Sequence, residues 1–222
     1  MRRALSFISV LALAGCASGP PPAEWQMNAQ SSLQRAVGAQ LSGHDRVAAL
    51  EFERARGEIA RTGRPELLAR AELMRCAAAV AALQFEPCTA FERLRADAAP
   101  AEQAYADHLA GRLAAPQRPL LPAAQQALAA PPSSPQADLA ALRATADPLS
   151  RLVGAALWQR AGRATPEVLA LAAETASAQG WRRPLLAWLR LQLQQAQQAG
   201  RTDEAARLGR RIELVLQGPS TP

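Results

Sequence analysis

The chain has 222 residues and a mass of 23.6 kDa, which favours one domain or two small ones. Ala (53 residues) and Leu (31 residues) dominate the apolar class, whereas Ile and Val together number only 10. Because helix formers are abundant and β-branched strand formers are scarce, the composition argues against a sheet-rich fold. Aromatic residues make up only 4%, which argues against a base-stacking surface.

The amino-terminal residues carry the strongest functional signal. Arg2 and Arg3 form a basic segment, and residues 4–14 form an apolar stretch that is too short to span a bilayer. The stretch ends in Leu13-Ala14-Gly15-Cys16, which resembles the lipobox of bacterial lipoproteins. The resemblance implies cleavage before Cys16, a diacylglycerol thioether on its sulfur, and acylation, for example by palmitate, of the new amino terminus. An ordinary secretory signal with a chance cysteine is the alternative.

This resemblance implies where the protein lies. Residues 1–15 would be the signal peptide, and residues 16–23 would form a stiff, proline-containing tether whose lipid chains anchor the protein in a membrane. No Asp follows Cys16, which in such lipoproteins favours the outer membrane. We therefore expect a periplasmic domain held at the inner face of the outer membrane, and no later stretch reads as a transmembrane helix.

Apolar spacing, helix-ending glycines and first-turn prolines predict an all-α chain. The predicted helices cover residues 25–41, 46–62, 65–82, 88–96, 97–111, 123–129, 136–145, 148–161, 166–179, 181–199 and 202–217. A Pro/Ser linker at 131–135 divides them into an N-terminal helical region, 24–130, and a C-terminal helical region, 136–217. Residues 218–222 are expected to fray.

Two hairpins resemble tetratricopeptide repeats. Small residues, a turn glycine and one large residue stand at matching positions of the first hairpin: Ala36, Gly43, Ala48, Phe52 and Ala55. In the last hairpin, residues 200–205 resemble the turn and the start of the second helix of that repeat. The resemblance implies antiparallel helical hairpins stacked as a short α-solenoid with a concave groove. Gly209 replaces a large residue and the spacing is irregular, so a non-repetitive Ala-rich helical domain is the alternative.

Two further cysteines, Cys76 and Cys88, predict a disulfide, because the periplasm is oxidising. Pairing across a separation of 12 requires the helix that carries Cys76 to end near residues 80–82. The alternative is two separate buried thiols.

The sequence offers little catalytic chemistry. It has two histidines, His44 and His108, and no nucleotide- or zinc-binding motif, so no catalytic residue, metal or cofactor is predicted. All-α enzymes that cleave peptidoglycan can use one buried Glu, but the closest trace of their sequence pattern is Leu73-Met74.

All 25 basic residues are Arg, and the pI is near 10.7. Because export argues against nucleic acid, the anionic partners within reach are lipid head groups, lipopolysaccharide phosphates and peptidoglycan carboxylates. The alternative is that Arg residues are ordinary surface residues of helices.

The run Trp181-Arg182-Arg183, with Trp188 two turns later, is a candidate partner-binding patch, because Trp and Arg are enriched at interface hot spots. Burial of these tryptophans in an Ala-lined core is the alternative.

The expected function is a lipid-anchored scaffold that binds other envelope proteins, similar to pilotins and outer-membrane assembly lipoproteins. A peptidoglycan-acting enzyme, or an activator of one, is the alternative.

Overall fold

Helices make up most of residues 22–218, which are the residues that the computed structural model describes. The eleven α-helices of this part are α1 (Glu24–Ser42), α2 (Asp45–Ala60), α3 (Pro65–Ala81), α4 (Thr89–Glu92), α5 (Pro100–Leu109), α6 (Ala123–Leu128), α7 (Pro135–Ala144), α8 (Pro148–Arg160), α9 (Pro166–Ala178), α10 (Arg182–Gln198) and α11 (Thr202–Gln217). Two 3-10 helices, Arg95–Asp97 and Ala115–Leu120, complete the set. The predicted all-α fold of stacked antiparallel hairpins is confirmed. The predicted signal peptide and lipobox lie outside the described residues.

The helix-ending glycines and first-turn prolines that were predicted from sequence set most helix boundaries. Six glycines of the described residues adopt a positive φ. Five lie at predicted breaks, namely Gly43, Gly63, Gly162, Gly180 and Gly200, and the sixth, Gly111, is the last residue of the predicted helix 97–111. The side chains of Asp147 and Thr165 cap α8 and α9 by accepting hydrogen bonds from backbone N–H groups, and a proline follows each. The predicted helix 97–111 is too long at its start, because Pro100 opens α5 after a separate 3-10 turn.

Alanine lets these helices pack closely. Ala36, Ala55, Ala69 and Ala78 are fully buried where the first three helices meet. A single core then continues to Ile212 of α11, so buried residues on both sides of the predicted 131–135 linker pack together. The linker itself is non-helical up to its last residue, which begins α7.

Two tryptophans connect distant helices through buried hydrogen bonds. The indole Nε1 of Trp188 in α10 donates to the carbonyl oxygen of Ala81 at the end of α3, at 3.1 Å. The indole Nε1 of Trp158 in α8 donates to the carbonyl oxygen of Leu128 in α6, at 2.9 Å. Each bond satisfies a carbonyl at a helix end, and the Trp188 bond attaches the C-terminal hairpins to α3.

Buried glutamates bonded by arginines link four N-terminal helices in series. Glu51 of α2 accepts from Arg35 of α1 at 2.9 Å, and Glu102 of α5 accepts from Arg70 of α3 at 2.6 Å. Between them, Glu72 of α3 pairs with Arg56 of α2. Each carboxylate is buried while its arginine remains partly exposed. We call these three pairs the Arg–Glu ladder; it joins α1, α2, α3 and α5.

Gly154 permits a close contact between α8 and α6. A Cβ at this position of α8 would collide with Leu128 Cδ1 and lie 3.3 Å from Leu128 Cβ and Cγ, and Leu128 is buried.

We expect Gly154→Ala to destabilise the protein by about 1–3 kcal/mol through overpacking. Gly209→Ala in α11 is the matched control, because no atom of the described chain lies within 4 Å of its added Cβ. It should be neutral or stabilising by up to about 1 kcal/mol. Urea unfolding measures both, and equal effects would contradict the packing argument.

The Arg–Glu ladder should make stability depend on pH. The hydrogen bond from Arg35 lowers the pKa of Glu51 below its ordinary value of 4.5. The folded state therefore binds fewer protons in acid than the unfolded state does. The stabilisation is fully present above the unfolded pKa and is lost as the pH falls through the folded pKa. We expect Glu51→Gln to cost about 1 kcal/mol at neutral pH and to lose less stability than wild type on acidification below pH 4.5.

Urea unfolding of both proteins between neutral pH and acid tests this expectation. Glu53→Gln removes a strongly exposed carboxylate of the same helix and controls for the change in net charge. If Glu51→Gln follows the wild-type pH dependence, the ladder does not produce the acid sensitivity.

Candidate functional site

A groove of about 460 Å³ opens between α2, α3, α5 and the loop that follows α3. Single residues from α1, α8 and α10 complete its edge: Gln40, Arg160 and Arg183. Its lining therefore comes from both halves of the chain. A concave surface of this size fits a small ligand or a few residues of a peptide.

A disulfide shapes the loop side of the groove. Cys76 in α3 is bonded to Cys88, with their Cα atoms 5.9 Å apart. As the predicted pairing requires, α3 ends early, at Ala81. The chain then reverses through Leu83, which adopts a left-handed φ of 61°, and the Gln84 N–H donates to the carbonyl oxygen of Ala79. The reversed chain brings residues 85–88 back over α3, where they form one wall.

The groove combines small apolar residues with arginines that stack on phenylalanines. Alanines of four helices, and one just after α5, line it: Ala48, Ala49, Ala79, Ala90, Ala106 and Ala110. The guanidinium of Arg160 lies over the Phe85 ring at 5.2 Å, and that of Arg75 lies over the Phe52 ring at 5.9 Å. A stacked guanidinium keeps N–H donors at its edge for carbonyl or carboxylate groups of a ligand. The groove thus offers apolar contact and directed hydrogen-bond donors together.

Ion pairs organise the rim of the groove. Arg183 of α10 pairs with Asp45 at the start of α2, which joins the two halves of the chain at this edge. Arg112 pairs with Glu92 at 3.3 Å. A hydrogen bond from Arg95 lowers the pKa of Glu92, so this carboxylate is held ionised. The rim therefore presents fixed charges of both signs.

The predicted partner-binding residues divide between surface and core. Arg183 lines the groove. Arg182 donates a hydrogen bond to the carbonyl oxygen of Leu216 at 2.9 Å, and Trp181 is partly buried against the core. Trp188 is 0% exposed, so it offers no surface to a partner. For Trp188 the prediction of a binding residue is corrected, and its alternative, burial in the core, describes the structure.

Sequence reasoning missed most of the groove. Phe85 and Arg160 are 75 positions apart, and no spacing rule relates them. The residues Phe85-Glu86-Pro87 were the available signal, because proline favours a turn, and a turn tied back by a disulfide must cover the helix that carries the first cysteine. Phe52, the large residue of the first repeat-like hairpin, lines the groove.

Buried titratable groups elsewhere are engaged in structural contacts. His108 is buried with Nε2 3.0 Å from Gln125 Oε1, and burial lowers its pKa, which keeps the ring neutral. The buried glutamates of the Arg–Glu ladder do not line the groove. Within residues 22–218, no cluster of three or more His, Cys, Asp or Glu residues is arranged to hold a metal ion.

A second cavity, of about 650 Å³, lies at the other end of α1 and α2. Trp25 and Glu24 from the first turn of α1 face residues from the end of α2 there, including Glu58 and Arg61. Arg61 is already paired with Glu58 at 2.6 Å. This cavity adjoins the predicted tether, and its Arg61 is already engaged by a neighbouring carboxylate.

Comparison with known proteins assigns no family to this chain. No protein-family model, no curated protein and no solved structure matches it. The chemistry of the groove and the amino-terminal sequence are therefore the basis for a function.

Proposed function

We propose that this protein is a lipid-anchored periplasmic scaffold, held at the outer membrane through Cys16, that binds a segment of another envelope protein in the groove. The observation that carries the proposal is the lining of the groove. Alanines and two phenylalanines supply apolar contact area, and stacked arginines supply oriented donors. Peptide backbones and side chains offer the complementary groups, whereas none of the groove residues forms a nucleophile–base pair.

The alternative, a peptidoglycan-acting enzyme, finds less support. A general acid requires a carboxyl group whose pKa is raised towards neutrality. Glu92, which lines the groove, has a lowered pKa, and Glu51 is bonded to two arginines at a helix interface. These environments favour the charged carboxylate and oppose proton donation.

Membrane attachment is expected to come from the amino terminus. No helix within residues 22–218 is long and apolar enough to cross a membrane. The lipobox at Leu13–Cys16 therefore carries this part of the proposal, and two or three acyl chains anchor a protein stably.

The anchor is tested by Cys16→Ser. We expect this variant to leave the membrane fraction after a high-salt wash, because it cannot form the thioether, while wild type stays. Labelled palmitate should enter wild type alone. Full membrane retention of the unlabelled variant would refute the lipid anchor.

Groove binding is tested by a photo-crosslinking amino acid at Ala49, an exposed groove residue. In living cells it should form an adduct with a discrete envelope protein, and Arg160→Ala should reduce the yield several-fold because the stacked guanidinium is lost. The same crosslinker at Ala140, an exposed alanine of α7 outside the groove, is the matched control. Equal adducts at both positions, or an adduct that is indifferent to Arg160→Ala, would refute the groove as the binding site.

A further inference from the structure

The excess positive charge of the chain is concentrated in its last hairpin. Residues 182–213 contain seven arginines and three carboxylates, a net charge of +4. From Cys16 onward the whole chain contains 23 arginines and 19 carboxylates, which is also +4. The remainder is therefore electrically balanced, and the basic pI reflects a local feature of α10 and α11.

Part of this charge lies on an exposed surface of α11 together with an apolar side chain. The inner side of α11 carries Leu208 and Ile212, whose side chains are buried in the core. Arg207, Arg210 and Leu214 follow one another at i, i+3 and i+7 on the outer side, and Arg211 adjoins them. We call these four residues the α11 basic face.

The residues of the α11 basic face are open to a partner. All four are exposed, and Leu214, at 70%, is the most exposed of the large apolar residues in the described chain. No carboxylate of residues 22–218 lies within salt-bridge distance of the three guanidinium groups. A terminal helix of a stacked array usually presents a polar outer side, so an exposed leucine among unpaired arginines indicates an interaction surface.

We propose that the α11 basic face rests on an anionic phospholipid surface, with the arginines at the phosphates and Leu214 at the acyl boundary. This inference rests on the proposed envelope location. Helices that combine basic and apolar residues in this way bind at lipid interfaces. In the proposed tether, residues 16–23, the part that follows the lipidated Cys16 can span at most about 25 Å, which would keep the folded part close to the bilayer. An acidic protein is the other candidate occupant, but only the membrane is always within reach.

The test is co-sedimentation of the mature chain with vesicles. The chain begins at residue 16 with the Cys16→Ser substitution, so it retains every described residue and lacks the lipid anchor. We expect binding to vesicles that contain phosphatidylglycerol, weakening as salt is added, and no binding to pure phosphatidylcholine. Leu214→Gln should weaken binding roughly ten-fold, because the buried apolar contact is lost.

The arginines are tested by a triple variant with a matched control. Arg207→Gln/Arg210→Gln/Arg211→Gln should weaken binding on the order of 100-fold, since each arginine near an anionic surface contributes roughly five-fold. Arg46→Gln/Arg93→Gln/Arg143→Gln removes three exposed arginines elsewhere and changes the net charge equally. It should retain most of the affinity, and circular dichroism checks that both variants are folded.

Three outcomes would overturn the proposal: no binding to phosphatidylglycerol vesicles, equal binding to both lipids, or equal losses in the two triple variants. Binding of soluble polyglutamate through the same three arginines, without vesicle binding, would identify an acidic protein as the occupant. Because the assay uses a chain without the lipid anchor, its failure leaves the Cys16 and groove experiments unaffected.

Discussion

The arrangement of the N-terminal helices depends on burying carboxylates that arginines hold in place. Removing a carboxylate from water is costly, and the cost is offset only where a guanidinium reaches it with good geometry. An arginine of a neighbouring helix reaches one carboxylate oxygen of each of Glu51, Glu72 and Glu102. Such pairs add modest net stability, but sliding or rotating one helix would leave a buried charge without its partner. The Arg–Glu ladder therefore selects one alignment among the many that an alanine-rich interface would tolerate.

Helix α3 links this ladder to the rest of the molecule. Its Glu72 and Arg70 bond to α2 and α5, while Cys76 and Arg75 reach the groove. The carbonyl oxygen of Ala81 at its end receives the indole N–H of Trp188 from α10. A buried contact that joins the third and tenth helices distinguishes this chain from a linear array, in which each repeat contacts only its neighbours. It also explains why groove residues come from both halves of the chain.

The surface then offers two different chemistries. The groove, with its alanines, stacked arginines and paired rim charges, suits a peptide segment that makes both apolar and hydrogen-bonded contacts. The α11 basic face has exposed arginines without a carboxylate partner among residues 22–218, and they surround the exposed Leu214, which suits a continuous anionic surface. The proposed scaffold would use the groove for its partner and the α11 basic face for the membrane.

The sequence by itself determined the local structure. Glycines at helix ends, first-turn prolines and the caps Asp147 and Thr165 act through neighbouring backbone groups, so their effects can be read within a few residues. The Cys76–Cys88 pairing was also accessible, because a separation of 12 permits it only with an early helix end, as observed. The left-handed turn at Leu83 was not, because glycine is the residue that usually marks such a turn.

Tertiary structure alone decided what lies in the groove and what lies in the core. Trp181 and Trp188 lie seven residues apart in the same sequence run. Trp181 is partly exposed, whereas Trp188 is buried against the end of α3. Likewise, Arg183 meets Asp45 across 138 positions of sequence. Periodicity reports which face of a helix is buried, but it carries no information about which distant helix covers that face. For this chain, the helical plan follows from sequence, and the groove follows from the way α3 packs against the other helices.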